Sequence, residues 1–97
     1  MPTAADTMKT LVIVPTYNER ENIEPLSRRL LEQGSGIEVL VVDDNSPDGT
    51  AKLVGEMMAR EPRLHLLRRP GKLGLGTAHV DGFRWALVRD SERIITR

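Results

Sequence analysis

Two short aliphatic runs constrain this chain more than any other feature: Thr10-Leu-Val-Ile-Val-Pro15 and Glu38-Val-Leu-Val-Val42. Both are rich in β-branched residues, and neither alternates with polar ones. Unbroken runs of this kind suit strands of a parallel sheet, buried on both faces. Parallel neighbours need a crossover between them. The intervening segment supplies one, because Ile23, Leu26, Leu30 and Leu31 share a face at helical spacing. Asn18 is placed to cap that helix with Glu21 as its capping-box partner, and Gly34 and Gly36 end it.

The pattern then repeats. Ser46-Pro47 reads as a helix start, since proline at the first helical position gives up no needed N–H. Ala51, Val54, Met57 and Met58 supply the apolar face, and Pro62 stops the helix. Leu64–Leu67 is a short third strand. Ala78–Val88 is a third helix, apolar on most sides (Ala78, Val80, Phe83, Trp85, Ala86, Leu87), and Arg93–Thr96 opens a fourth strand. The order β-α-β-α-β-α-β predicts an α/β fold of three layers, α-β-α, Rossmann-like, with a mostly parallel sheet. A length of 97 residues allows one compact domain. The only aromatics are Tyr17, Phe83 and Trp85, so the core is aliphatic, with Phe83 and Trp85 added to it.

Composition removes several function classes. There is no cysteine, hence no disulfide scaffold, thiolate metal site or cysteine catalysis. Two histidines are too few for a histidine metal cage. Fourteen Lys and Arg balance fourteen Asp and Glu, and a chain with zero net charge has no global field for a nucleic acid. No apolar run approaches the roughly 20 residues of a membrane span. Residues 1–8 read as a flexible polar tail with no signal-peptide core, so the expected location is cytoplasmic.

Ligands of such sheets bind beyond the carboxyl ends of the strands. Three polar clusters fall there: Thr16-Tyr-Asn-Glu19, Asp43-Asp44, and the basic glycine-rich stretch Arg68 to Gly76. Tyr17 offers a flat face for a base, Glu19 and Asp44 accept N–H or ribose O–H donors, and Lys72 and the Arg68-Arg69 pair suit a phosphate that the glycines let backbone N–H groups approach. This describes a nucleotide site, although the glycine loop matches neither the Walker nor the dinucleotide fingerprint. Plainer roles compete. Glu19 and Glu21 also favour a helix N-terminus, Asp43 and Asp44 form turns, Arg68 and Arg69 read as a solvated pair, and Asp81 with Arg84 as a surface helix pair.

Val12-Ile-Val-Pro-Thr-Tyr-Asn-Glu-Arg-Glu-Asn-Ile23 and Val41-Val-Asp-Asp-Asn-Ser-Pro-Asp-Gly-Thr50 resemble the first two motifs of the inverting family 2 glycosyltransferases of GT-A fold. The wording resembles one branch of that family, the dolichol-phosphate and polyprenol-phosphate mannosyltransferases. Lys72-Leu-Gly-Leu-Gly-Thr-Ala78 and Gly82-Phe-Arg-Trp-Ala86 are similar to that branch's third motif, although a tyrosine is common where His79 stands. The resemblance implies GDP-mannose as donor and a polyprenyl or dolichyl phosphate as acceptor at a membrane surface. It assigns the nucleotide to Pro15, Tyr17, Glu19, Val42 and Asp44, with Thr16, Asp43, Lys72 and Gly74 as weaker candidates. It also implies Mg2+ or Mn2+, whose Asp-x-Asp ligands would follow the fourth strand. Residues 9–97 therefore read as the nucleotide-binding part of an incomplete domain, with no catalytic or metal residue of its own and no transfer activity alone. An open sheet edge invites pairing with a second copy. Two other readings stand beside this one: a family 2 transferase using a UDP-sugar, and a receiver-like signalling domain whose acidic pair binds Mg2+.

Overall fold

The computed structural model describes residues 9–70, 75–88 and 93–96. The elements run β1 (Thr10–Thr16), α1 (Arg20–Leu31), β2 (Ile37–Asp43), α2 (Thr50–Met58), β3 (Leu64–Arg68), α3 (Leu75–Val88) and β4 (Arg93–Thr96). The strands pair in parallel in the order β3-β2-β1-β4. The chain steps outward from β1 to β3, then returns past β1 to β4. The strand order therefore reverses beside β1.

Side chains alternate across each strand, and this sorts the two aliphatic runs into two cores. Val12, Val14, Val39, Val41 and Leu64 pack under α1 and α2 against Ile23, Leu31, Val54 and Met57. Leu11, Ile13, Leu40 and Val42 face the other way, onto Ala78 and Ala86 of α3. The three layers follow. Burying one such aliphatic side chain contributes about 1.5–3 kcal/mol. An exposed helix pair such as Glu24–Arg28, at 3.1 Å, adds only about 0.3–0.5 kcal/mol, so the aliphatic pattern dictates the architecture. Alanines and a glycine let α3 lie close. A Cβ on Gly82 would stand 2.7 Å from Ile13 Cγ2.

Several local expectations are corrected. Asn18 does not cap α1. It takes a left-handed φ of 57°, and Glu19 is the N-cap, with no side-chain cap bond. Ser46-Pro47 does not start α2, which begins at Thr50 behind Gly49 at φ 88°. Phe83 leaves the core and is 42% exposed; Val80, Leu87 and Met58 are exposed as well. Trp85 is half-buried against the α3-side core and tilts on His65, ring centroids 4.9 Å apart. Residues 1–8, Lys72 and Gly74 lie outside the described residues.

Candidate functional site

The carboxyl ends of β1, β2 and β3 are bonded into one edge. Thr16 pairs with Asp43 in register, and Asp43 with Arg68. Past the strand ends, the Asp44 N–H donates to Thr16 O at 3.1 Å and the Arg69 N–H to Asp43 O at 2.8 Å. Since the Thr16 carbonyl faces β2, the preceding Pro15 turns its backbone toward the β4 side.

The doubled acid at the end of β2 is split by strand alternation. Asp43 points with Val39 and Val41 toward the α1 side and is fully buried. Its Oδ1 accepts from Thr16 Oγ1 at 2.8 Å and Ser46 Oγ at 2.6 Å, and its Oδ2 accepts from Ser46 N at 2.9 Å. Asp44 points with Leu40 and Val42 toward α3 and is 4% exposed. Both of its oxygens accept from one guanidinium: Oδ1 from Arg69 Nε, and Oδ2 from Arg69 Nη2 at 2.8 Å.

The loop after β1 is held by the loop after β2. Ser46 Oγ accepts from Asn18 N at 2.9 Å, Thr50 Oγ1 from Glu19 N at 3.1 Å, and Asp48 Oδ2 from Arg20 N at 3.1 Å. Asp48 Oδ1 also accepts from Thr50 N at 3.0 Å. One carboxylate thus serves the N-termini of both α1 and α2, which would otherwise leave orphan N–H groups. Its pKa is lowered, first by the Thr50 hydroxyl, which burial opposes, and then by the Arg20 and Thr50 N–H groups and the Arg20 charge. The φ of 88° at Gly49 is what favours glycine there; a Cβ would meet only the movable tip of Arg20, Nη1 at 2.9 Å.

Arg69 is not a solvated residue, and this is the main correction to the sequence reading. It is 4% exposed. Its Nη1 reaches α3, donating to Thr77 Oγ1 at 2.9 Å and Asp81 Oδ2 at 3.1 Å. Asp81 therefore pairs with Arg69 and not with Arg84. The bonds to Asp44 raise the Arg69 pKa above its ordinary value, opposed by burial and reinforced by Asp81. The guanidinium is permanently charged.

A cleft of about 440 Å³ opens beside β1 and α1, lined by Pro15, Thr16, Glu19, Asn22, Pro25 and Arg29 among others. It gathers three of the expected residues at the point where the strand order reverses, the usual ligand position in open α/β sheets. Tyr17 stands 37% exposed at the same strand end. Val42 is fully buried under α3 and offers a ligand only its backbone, and Asp44 follows two residues on. A smaller cleft of about 250 Å³, near Leu31, Arg60 and Arg63, lies toward the far ends of α1 and α2. Sequence reasoning set Arg69 beside a phosphate or in solvent and Asp81 beside Arg84, and missed the link from Asp44 through Arg69 to Thr77 and Asp81. The signal was an arginine directly after a strand whose neighbour ends in two acids.

Among the described residues no three His, Cys, Asp or Glu side chains converge for a metal ion. Asp43 and Asp44 face opposite sides of the sheet, each satisfied by protein donors. The described residues do not fit a divalent-cation site. The same split argues against a receiver-like acidic pair, as does the order β3-β2-β1-β4, which differs from the 2-1-3-4-5 order of that class.

The fold is an open α/β sheet with polar residues gathered at the carboxyl ends of its strands, and comparison with known proteins gives the family. The family model described as glycosyl transferase family 2 matches residues 11–89. The chain belongs to that family. It is 47% identical over 88 residues to the polyprenol monophosphomannose synthase of Mycolicibacterium smegmatis, covering 90% of this chain and 33% of that protein. It is 43% identical to the undecaprenyl-phosphate mannosyltransferase of Micrococcus luteus, covering 91% of this chain and 36% of that protein. Among solved structures, the mannosyltransferase PcManGT from Pyrobaculum calidifontis, in complex with GDP-Man and Mn2+, superposes with a TM-score of 0.70 at 31% identity. That match covers 84% of this chain and 26% of the other. The chain spans about a third of the length of the first two relatives. No helix among the described residues is long and apolar enough to cross a membrane.

Proposed function

We propose that this chain supplies the nucleotide-binding part of an inverting glycosyltransferase that moves mannose from GDP-mannose to a polyprenyl phosphate at a membrane surface. The observation that carries the reading is the reversal of strand order beside β1, with Pro15, Tyr17, Glu19 and Asp44 grouped at that edge. The names of the relatives support mannose and the lipid phosphate, and the GDP-Man held by PcManGT supports the donor. In this reading Tyr17 stacks on or lies against the base, Asp44 and Glu19 accept its N–H or ribose O–H groups, and Pro15 and Val42 offer backbone. Thr16 and Asp43 act differently from the others: they build the edge and do not touch the ligand. Lys72 and Gly74 stay assigned to the diphosphate side.

In the transfer, a phosphate oxygen of the acceptor attacks the anomeric carbon as the bond to the GDP oxygen breaks, which inverts the centre. An ionised phosphate monoester is already nucleophilic, so none of these residues is needed as a base. The divalent ion, Mg2+ or Mn2+, is assigned to residues outside those described. Calorimetric titration of the 97-residue chain with GDP, UDP and acetyl phosphate tests the reading. GDP-selective binding is expected. A preference for UDP would point to a UDP-sugar enzyme, and phosphorylation on an aspartate to a signalling domain.

A further inference from the structure

We propose that Arg69 is a positioning residue for the nucleotide, acting through Asp44, whose carboxylate it fixes for the base and ribose. This inference rests on the GDP-binding reading above. Its basis is the geometry of one buried group. Arg69 holds Asp44 side-on, with Nε on one oxygen and Nη2 on the other, while Nη1 is committed to Thr77 and Asp81 on α3. All three guanidinium nitrogens thus donate to the protein. Both side chains of the pair are almost fully enclosed, 3% and 6% exposed.

A stabilising role alone explains this arrangement poorly. Taking a charge pair out of water costs about what the pair returns, and apolar replacements of buried pairs are often neutral or better. What a planar fork supplies is orientation: two parallel bonds fix the carboxylate plane as a lysine ammonium cannot. The second anchor fixes the fork in turn. Asp81 and Thr77 tie Nη1 to α3, so the Asp44 carboxylate is aimed by a chain of bonds running from a helix on the far face of the sheet. A carboxylate only accepts, so the ligand groups that Asp44 suits are N–H and O–H donors.

The test uses the 97-residue chain, its Arg69→Lys and Asp81→Asn variants, GDP and UDP dissociation constants by calorimetry, and melting temperature. Positioning predicts that Arg69→Lys weakens GDP by about tenfold or more, the loss expected for one misdirected charge-assisted bond. It also predicts that the UDP-to-GDP ratio of dissociation constants collapses toward one. Asp81→Asn, which leaves the Asp44–Arg69 bonds in place, is expected to lower the ratio by a smaller factor. A purely structural role lowers the melting temperature but leaves the ratio unchanged in the folded protein, and that result in either variant overturns the proposal. Should Arg69→Lys fail to fold, Asp81→Asn decides alone. Failure of the unsubstituted chain to bind GDP is a separate outcome: it overturns the functional reading, and this inference with it, before any variant is measured.

Discussion

The hydroxyl of Ser46 holds the backbone N–H of Asn18, 28 residues earlier in the chain and 2.9 Å away. The same hydroxyl donates to Asp43 Oδ1, which also accepts from Thr16. The loops after β1 and β2 are therefore one hydrogen-bonded unit centred on a buried carboxylate. The two motifs that the sequence presents as separate ligand candidates partly exist to hold each other.

Asp43 should prove essential to the fold. In Asp43→Asn, an amide oriented to accept from Thr16 and Ser46 hydroxyls turns its NH2 toward the Ser46 N–H. The expected cost is about 2–3 kcal/mol, or roughly 10–20 °C in melting temperature. Thermal denaturation by circular dichroism checks it; an unchanged transition would mean that the unit contributes nothing to stability.

Gly82 is required by space. In Gly82→Ala the new Cβ collides with Ile13, which is fully buried and has nowhere to go. Overpacking costs about 1–3 kcal/mol, and the better helix propensity of alanine returns only about 0.5–1 of it. Denaturant unfolding should show the net loss. Moving α3 outward also draws Thr77 and Asp81 away from Arg69, so GDP affinity is expected to fall in the same variant.

Asp48 gives a pH dependence with a definite sign. Its folded pKa is depressed, so its contribution is fully present above the unfolded carboxylate value of about 3.9 and is lost as pH falls through the folded value. Compared with Asp48→Asn, the unsubstituted chain should melt higher at neutral pH, and the gap should narrow by about pH 3. A gap that stays constant would assign the effect to something other than the charge.

Much of this was readable from the chain. Uninterrupted aliphatic runs announce strands buried on both faces, and Ile23, Leu26 and Leu31 announce the helix that covers one of them. What could not be read were contacts between distant residues. Asn18 and Ser46-Pro47 look like local helix starts because local rules see only near neighbours. In the fold Asn18 bonds to Ser46, and Asp48 caps two helices at once. Arg69 looks solvated for the same reason: the carboxylates that bury it are 25 and 12 residues away. The exposed Phe83 shows the opposite error, since an aromatic in a helix reads as core until the small residues Ala78, Gly82 and Ala86 take the face that meets the sheet.

The central claim is that the carboxyl edge of β1 and β2 is a nucleotide site. Amide NMR of the 97-residue chain titrated with GDP tests it directly. The account predicts saturable shifts at Thr16, Tyr17, Glu19, Asp44 and Asn45. No saturable shift, or shifts centred on Leu31, Arg60 and Arg63 at the other cleft, would contradict it.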